Sequence, residues 1–340
     1  MSNAPWFVSA ETTKEVLTWP ELIAALKAAY AMPHVAEENP PRAVARGQGV
    51  WLRALPAVLP SRSYMGAKVF GLGRQRAVTY AIVLFDQETG GIAGLLDGES
   101  LTAFRTAATS AVAMDRLLPR RPVRLGLLGS GAEARSHLHA LAAIRPIAAA
   151  RVFSPSAENR AAFAAAARAE LAIECSAAAS ARDAVADQPL VVAAARSRDE
   201  TPIFDSAWLA DDSLVVSIGS TLPDQREIDT GLISKSDIIV ADAVEEVAEG
   251  TGDFIAAHRE GVAFRDKIVS LNDLIRGVVD ARVNAARRPL FKSVGAAIQD
   301  LVVAELALRK AKQLGAAHEL PADFVLKTGT GPRNQASPRR

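Results

Sequence analysis

The sequence predicts an α/β protein in which a Rossmann-type parallel-sheet domain is joined to an α+β domain. Three observations carry this. The chain has 340 residues, enough for about two domains, and 49% apolar with 23% charged residues is the balance of a folded globular protein. From Pro122 onward, short apolar runs alternate with helical segments, the rhythm of βαβ units in a parallel sheet covered on both faces. Gly129-Ser130-Gly131-Ala132-Glu133-Ala134 then closes one of those runs and opens a helix.

Taken in order, the first clear element is a helix over residues 19–31. Thr18 and Glu21 have capping-box spacing, Pro20 falls in the first turn, and Leu22, Ile23, Leu26 and Tyr30 make one apolar stripe. Across residues 42–96 the pattern changes to apolar runs at 50–55, 64–70, 78–85 and 92–96, separated by Gly, Pro and charged turns. That reads as an antiparallel meander. An Ala-rich helix follows over 99–117, and Pro119 and Pro122 mark a domain boundary. Beyond it, strands are expected at 123–128, 150–153, 172–175, 190–194, 214–218 and 238–241, with helices at 132–144 and 157–170. The last helix is expected over 294–314, where Val294, Ile298, Leu301, Ala304 and Leu308 share a face and Gly315 suits the C-cap. The tail from 327 to 340 is polar and basic and reads as a solvated end. The expected division is residues 1–119 with 298–340 in one domain, and 120–297 in the dinucleotide-binding domain.

Composition excludes several functions. Thirty-nine Lys and Arg against 38 Asp and Glu leave a formal charge of +1, so no bulk field recruits nucleic acid or anionic membrane. The 5% aromatic content argues against a base-stacking surface. No apolar run approaches the ~20 residues of a membrane span, and residues 1–13 lack the layout of a signal peptide; a cytoplasmic location is expected. The single cysteine, Cys175, excludes an internal disulfide. His137 and His139 are two apart on a helix and face different directions, so no metal site is expected. Asp237 and Asp242 flank a strand and read as its terminators, and Glu245, Glu246 and Glu249 as a solvated face. There is no GxSxG elbow and no phosphate-binding GxxxxGK[ST] loop.

The glycine motif carries the chemistry. Gly129 permits the tight turn, Gly131 lets the backbone approach a pyrophosphate, and Ala134 allows close helix–strand contact. Ser130 and Ala132 complete the turn, so the free N–H groups of the helix start face the anion. This predicts an NAD(P) cofactor. An NAD site places an acid about 20 residues on to bind the ribose 2′-hydroxyl. Here residues 152–153 are followed by Ser154-Pro155-Ser156, with Arg160 soon after. Hydroxyls with a nearby Arg suit a 2′-phosphate, so NADP is favoured over NAD, although Ser154 and Ser156 would equally serve as caps for the next helix.

Several segments together resemble the ornithine cyclodeaminase/mu-crystallin family over nearly the whole chain. They are Tyr64-Met65-Gly66-Ala67-Lys68-Val69, the run from Leu101 to Ser110 around Arg105, the Gly129 motif, Ile218-Gly219-Ser220 with Pro223 and Glu227, and the run from Phe291 to Asp300. The resemblance implies a homodimer, with an N-terminal substrate-binding and dimerisation domain, and substrates that are small amino or imino acids. It matches Arg42 and Arg105 to carboxylate-binding arginines and Lys68 to a lysine lining the site, making Lys68 and Arg105 the candidate catalytic pair. It places Thr106 near the cofactor phosphates, and Ser293, Val294 and Gly295 near the nicotinamide. Planar guanidinium forks suit bidentate carboxylate recognition. Arg105 is the best supported, because an arginine inside an apolar helix is costly unless paired; Arg46 and Arg53 are alternatives to Arg42.

One departure from the family pattern bears on the reaction. Cyclodeaminases carry an acid two positions after the glycine that aligns with Gly219, where this chain has Thr221. A threonine hydroxyl does not act as a carboxylate base near neutral pH. The expected activity is therefore an NAD(P)H-dependent ketimine reductase or amino-acid dehydrogenase acting on small carboxylated C=N substrates, such as pyrroline-2-carboxylate or piperideine-2-carboxylate. Ornithine or lysine cyclodeamination and a mu-crystallin-like ligand-binding role are the alternatives.

Overall fold

The computed structural model describes residues 4–195, 199, 201–321, 324 and 325, so the tail from 327 to 340 lies outside the described residues. Two sheets organise it. The first is seven-stranded among the described residues and runs His318–Glu319, Trp6–Val8, Ile92–Asp97, Val78–Asp86, Tyr64–Leu72, Val50–Val58, Ala43–Gly47. Its last five strands form the antiparallel meander, with Lys68 opposite Leu55 and Ile82, and Arg53 opposite Phe70. Since side chains alternate across a strand, Arg53, Leu55, Lys68, Phe70, Tyr80 and Ile82 share one face.

That face is covered by the helices Trp19–Ala31, Gly98–Leu117 and Ala297–Gln313, with Leu55, Ile82, Leu101 and Leu301 in the core between them. Asp97 caps the Gly98–Leu117 helix by accepting from Ser100 N. The opposite face has no layer over it among the described residues. Leu52 and Val58 are exposed there, and Met65, Ala67, Val69 and Val83 are partly exposed.

The second sheet is parallel, in the order Ile268–Ser270, Ile238–Ala241, Pro289–Lys292, Leu214–Ser217, Leu190–Ala193, Val123–Leu128, Ile147–Phe153, Cys175–Ala177. Its four-residue strands Leu190–Ala193, Leu214–Ser217 and Ile238–Ala241 are buried throughout, as central parallel strands must be. Among the described residues no helix is long and apolar enough to cross a membrane.

Two sequence expectations are corrected. The strand expected at 172–175 lies at Cys175–Ala177, because Ala172 turns into the left-handed region (φ +53°) to end the preceding helix, its N–H bonded to Arg168 O. The last helix starts at Ala297 rather than 294, because Gly295 at φ +82° leaves the helical region.

Candidate active site

A crevice of about 420 Å³ opens between the covered face of the meander and the C-terminal ends of the parallel strands. In open α/β sheets, ligands bind in the crevice outside the carboxyl ends of the strands. Lys68, Arg105, Arg42 and Arg53 line it from one side, Gly219 and Ala194 from the other. A neighbouring cavity of about 430 Å³ also touches Arg42 and Gly295 but contains neither Lys68 nor Arg105.

Lys68 and Arg105 meet on one acid. Lys68 Nζ donates to Asp300 Oδ1 at 3.1 Å and to Thr102 Oγ1 at 2.6 Å. Arg105 Nε donates to the same Oδ1 at 2.9 Å, and its Nη1 to Gln299 Oε1 at 3.0 Å. All three ionic groups are buried, and Asp300 Oδ2 has no hydrogen-bond partner. Burial lowers the Lys68 pKa to about 8, with the charge of Arg105 adding to the effect and Asp300 opposing it. For Arg105, burial disfavours the charge, but Asp300, Asp242 and Glu133 outweigh it and raise the pKa.

Asp300 went unassigned in the sequence reading, although a signal for it existed. It stands in a helix where Ala297, Leu301, Ala304 and Leu308 are buried, and a buried carboxylate needs a cation. Asp242 is a correction: it is more than a strand terminator. Its carboxylate accepts from Ser293 Oγ (2.6 Å), Val294 N (3.0 Å), Gly295 N (2.9 Å) and Gln299 Nε2 (2.9 Å), fixing the turn beneath Arg105. A Cβ at Gly295 would lie 2.5 Å from Arg105 Nη1, so only glycine fits both the turn and the guanidinium. The hydroxyl of Ser293 is committed to Asp242, so this residue reaches the crevice as part of the anchored turn. Glu246 is likewise not simply solvated: Arg42 Nε donates to it at 2.5 Å, while Arg42 Nη2 donates to Val294 O and Gly295 O at 3.1 and 2.9 Å. Arg42 thus ties the meander to the same turn. Asp237 accepts from Arg287 N and Arg288 N, both at 2.9 Å.

The glycine turn fits a dinucleotide. Gly129 sits at φ +114°, where an added Cβ would lie 2.6 Å from Ala194 O. Gly131, the N-cap of the Ala132–Ala142 helix, makes no side-chain cap bond, and a Cβ there would meet nothing within 4 Å. The helix start therefore keeps its N–H groups and the space for an anion. Ser130 Oγ and Ser154 Oγ are 2.8 Å apart, and Arg160 lies over the Phe153 ring with Nη1 on Ser154 O at 2.8 Å. Ser156 caps its helix through Asn159 N, which commits that hydroxyl locally. Thr106 lines the crevice, its hydroxyl donating to Thr102 O at 2.7 Å.

Below the crevice lies a second buried cluster. Glu227 accepts from Ser217 Oγ (2.5 Å), Gly219 N (2.9 Å) and Ala195 N (3.1 Å), bracing two crevice loops. Lys292 Nζ donates to Ser217 Oγ and Asp253 Oδ2, both at 2.9 Å. Thr221 lines the crevice, whereas Asp224 is exposed and does not. His137 is buried between Ser110 Oγ and Glu133 O, and burial lowers its pKa to about 4. Burial also pushes the Cys175 thiol up to about 11.

The ornithine cyclodeaminase/mu-crystallin family matches residues 5–314. The chain belongs to that family. This family member is 27% identical over 320 residues to the ketimine reductase mu-crystallin of Mus musculus, covering 90% of this chain and 97% of the relative. It is 32% identical over 316 residues to Delta(1)-pyrroline-2-carboxylate reductase 2 of Burkholderia ambifaria, covering 90% and 96%. The solved structure of Thermococcus litoralis Delta(1)-pyrroline-2-carboxylate reductase in complex with NADH and L-proline aligns with a TM-score of 0.84 at 28% identity, over 93% of this chain and 100% of that one. These relatives carry the names of reductases acting on ketimines or Delta(1)-pyrroline-2-carboxylate, and the Thermococcus litoralis structure holds NADH.

Proposed function

We propose that this family member reduces the C=N bond of small imino acids bearing a carboxylate, and runs the reverse dehydrogenation of the amino acid. The observation that carries the reading is the sharing of one Asp300 oxygen by two cations at the mouth of the dinucleotide crevice. One carboxylate between two positive charges leaves the site ready for an anion. Arg105 Nη2 has no protein acceptor among the described residues, and Lys68 spends two of its three N–H donors on Thr102 and Asp300.

Bound NAD(P)H supplies the hydride that adds to the imine carbon. Arg105 grips the substrate carboxylate, which fixes the position of that carbon. The substrate nitrogen takes its proton from Lys68 Nζ, whose pKa of about 8 is matched to proton transfer near neutrality. Asp300 holds both cations in register. Cyclodeamination would need an acid where Thr221 stands, and the nearby Asp224 is exposed outside the crevice lining.

Gly129, Ser130, Gly131 and Ala132 would hold the pyrophosphate, with Thr106 across the crevice, and Ser154 with Arg160 favours NADP over NAD. The uncovered apolar face of the meander supports assembly as a homodimer through that face, since a patch of this kind marks an interaction surface. The test is spectrophotometric: NADPH and NADH are each mixed with a panel of cyclic and acyclic imino acids. Oxidation of either cofactor with a carboxylated imine supports the reading; none across the panel defeats it, and ammonia released from ornithine without net cofactor reduction establishes cyclodeamination instead.

A further inference from the structure

Among the described residues, Arg53 is the cation in this crevice without a counter-charge. It stands on the Val50–Val58 strand, on the same face as Lys68 and directly opposite Phe70, and lines the cavity that holds Lys68 and Arg105. Its side chain is nine-tenths buried at 9% exposure, yet Nε has no hydrogen-bond partner. Among the described residues no carboxylate lies within ion-pair distance of it. The guanidinium instead lies over the Trp51 ring, 4.5 Å from its centroid, and 5.8 Å from that of Phe70.

The surroundings are unfavourable to this charge as they stand. Burial lowers the Arg53 pKa, and Arg42 and Arg46 lower it further. The acid whose field reaches it, Glu246, is already paired with Arg42. Asp300, the acid of the catalytic cluster, is occupied by Lys68 and Arg105. A buried guanidinium without a counter-charge is costly unless an anion joins it. Stacking on aromatic rings holds its plane in place while leaving its N–H edge free, which is how an arginine is prepared for a carboxylate. The register makes Lys68 the diagonal neighbour of Arg53, and both charged heads lie against the Phe70 ring, the guanidinium 5.8 Å and Lys68 Nζ 5.4 Å from its centroid, within reach of one short ligand.

We propose that Arg53 binds a second carboxylate, so that the substrates this protein favours are imino acids with an acidic side chain. This rests on the reading of the crevice as an imino-acid site. One carboxylate goes to Arg105, the other to Arg53 against the Trp51 and Phe70 rings.

Inhibition and turnover test it together. In the presence of NADPH, succinate is compared with butyrate as a competitor, and imines of oxaloacetate with those of pyruvate as substrates. The expected result is a dicarboxylate advantage of at least about tenfold, the worth of one additional charge-assisted contact. In Arg53→Met the advantage falls to within about twofold, whereas Arg53→Lys retains part of it. Equal affinity for the two acids in the unaltered protein overturns the proposal without any variant, so a failure of Arg53→Met to fold does not shelter it. An equal loss for both acids in a folded Arg53→Met also overturns it. If pyruvate imine is reduced but the dicarboxylate is not preferred, this proposal fails alone; if no imine is reduced at all, the reading of the site fails with it.

Discussion

The molecule contains two buried lysine–carboxylate clusters built from nearly the same parts, and they differ in how completely they are satisfied. Lys292, Asp253 and Glu227 lie below the crevice floor. Lys292 donates to Ser217 and Asp253, Asp253 also accepts from Glu227 N and Ile228 N, and Glu227 takes three donors. Lys68, Asp300 and Arg105 lie at the crevice wall, where Asp300 Oδ2 and Arg105 Nη2 have no partners among the described residues. A closed network positions backbone, here the loops at Ala195 and Gly219. An open one keeps valences for a ligand. The contrast separates a structural ion pair from a reactive one more sharply than burial does, since Lys68 and Lys292 are both buried.

The largest effect that could break this comparison is chemical. Lys68→Met should lower kcat/KM for imine reduction by about 10³-fold or more while the protein stays folded, because Asp300 keeps Arg105. Steady-state assays with circular dichroism check this, and a folded variant retaining a tenth of the activity would contradict the assignment of the proton donor. Lys292→Met should act on stability instead. Among the described residues it leaves Arg226, at 3.6 Å, as the one cation beside the buried Asp253, a loss of about 3–5 kcal/mol in chemical denaturation. An unchanged denaturation midpoint would mean that the lower cluster is not holding the floor.

The pH profile sharpens the same contrast. Lys68 donates only while protonated, so the rate of imine reduction should fall as pH rises through about 8, and amino-acid oxidation should rise over that range. Rates without a transition near pH 8 would remove Lys68 from proton transfer. The smallest expected effect lies beside the glycine turn, where Ser154 meets Ser130. Arg160→Ala should cut the preference for NADPH over NADH by about tenfold with little change in imine affinity, as measured by cofactor fluorescence titration. A preference left intact would assign Arg160 to local packing on Phe153.

Much of the fold was legible because burial patterns are local. Strands fully buried on both faces, such as Ile238–Ala241, appear as unbroken apolar runs, and the meander shows alternation with turn residues between. The strand Pro289–Lys292 did not show itself. It is four residues long, preceded by Arg287 and Arg288, and ends in a lysine whose burial depends on Asp253, 39 positions earlier in the chain. The candidate site divides the same way. The glycine turn announces itself within six residues, whereas the pairing of Asp300 with Lys68 joins positions 232 apart and leaves only a lone acid on an apolar helix face. The positions of Arg53 and Arg42 depend on strand register, which a run of small, apolar and arginine residues does not fix.

The strand Pro289–Lys292 also sets a timetable for synthesis. It lies between Leu214–Ser217 and Ile238–Ala241, so the middle of the parallel sheet stays open until this segment has been made. Asp300 emerges only eight residues after Lys292. Closure of the sheet and delivery of the acid that joins Lys68 to Arg105 therefore come close together in synthesis, and a chain that lacks this segment has neither a finished floor nor a counter-charge for its two cations.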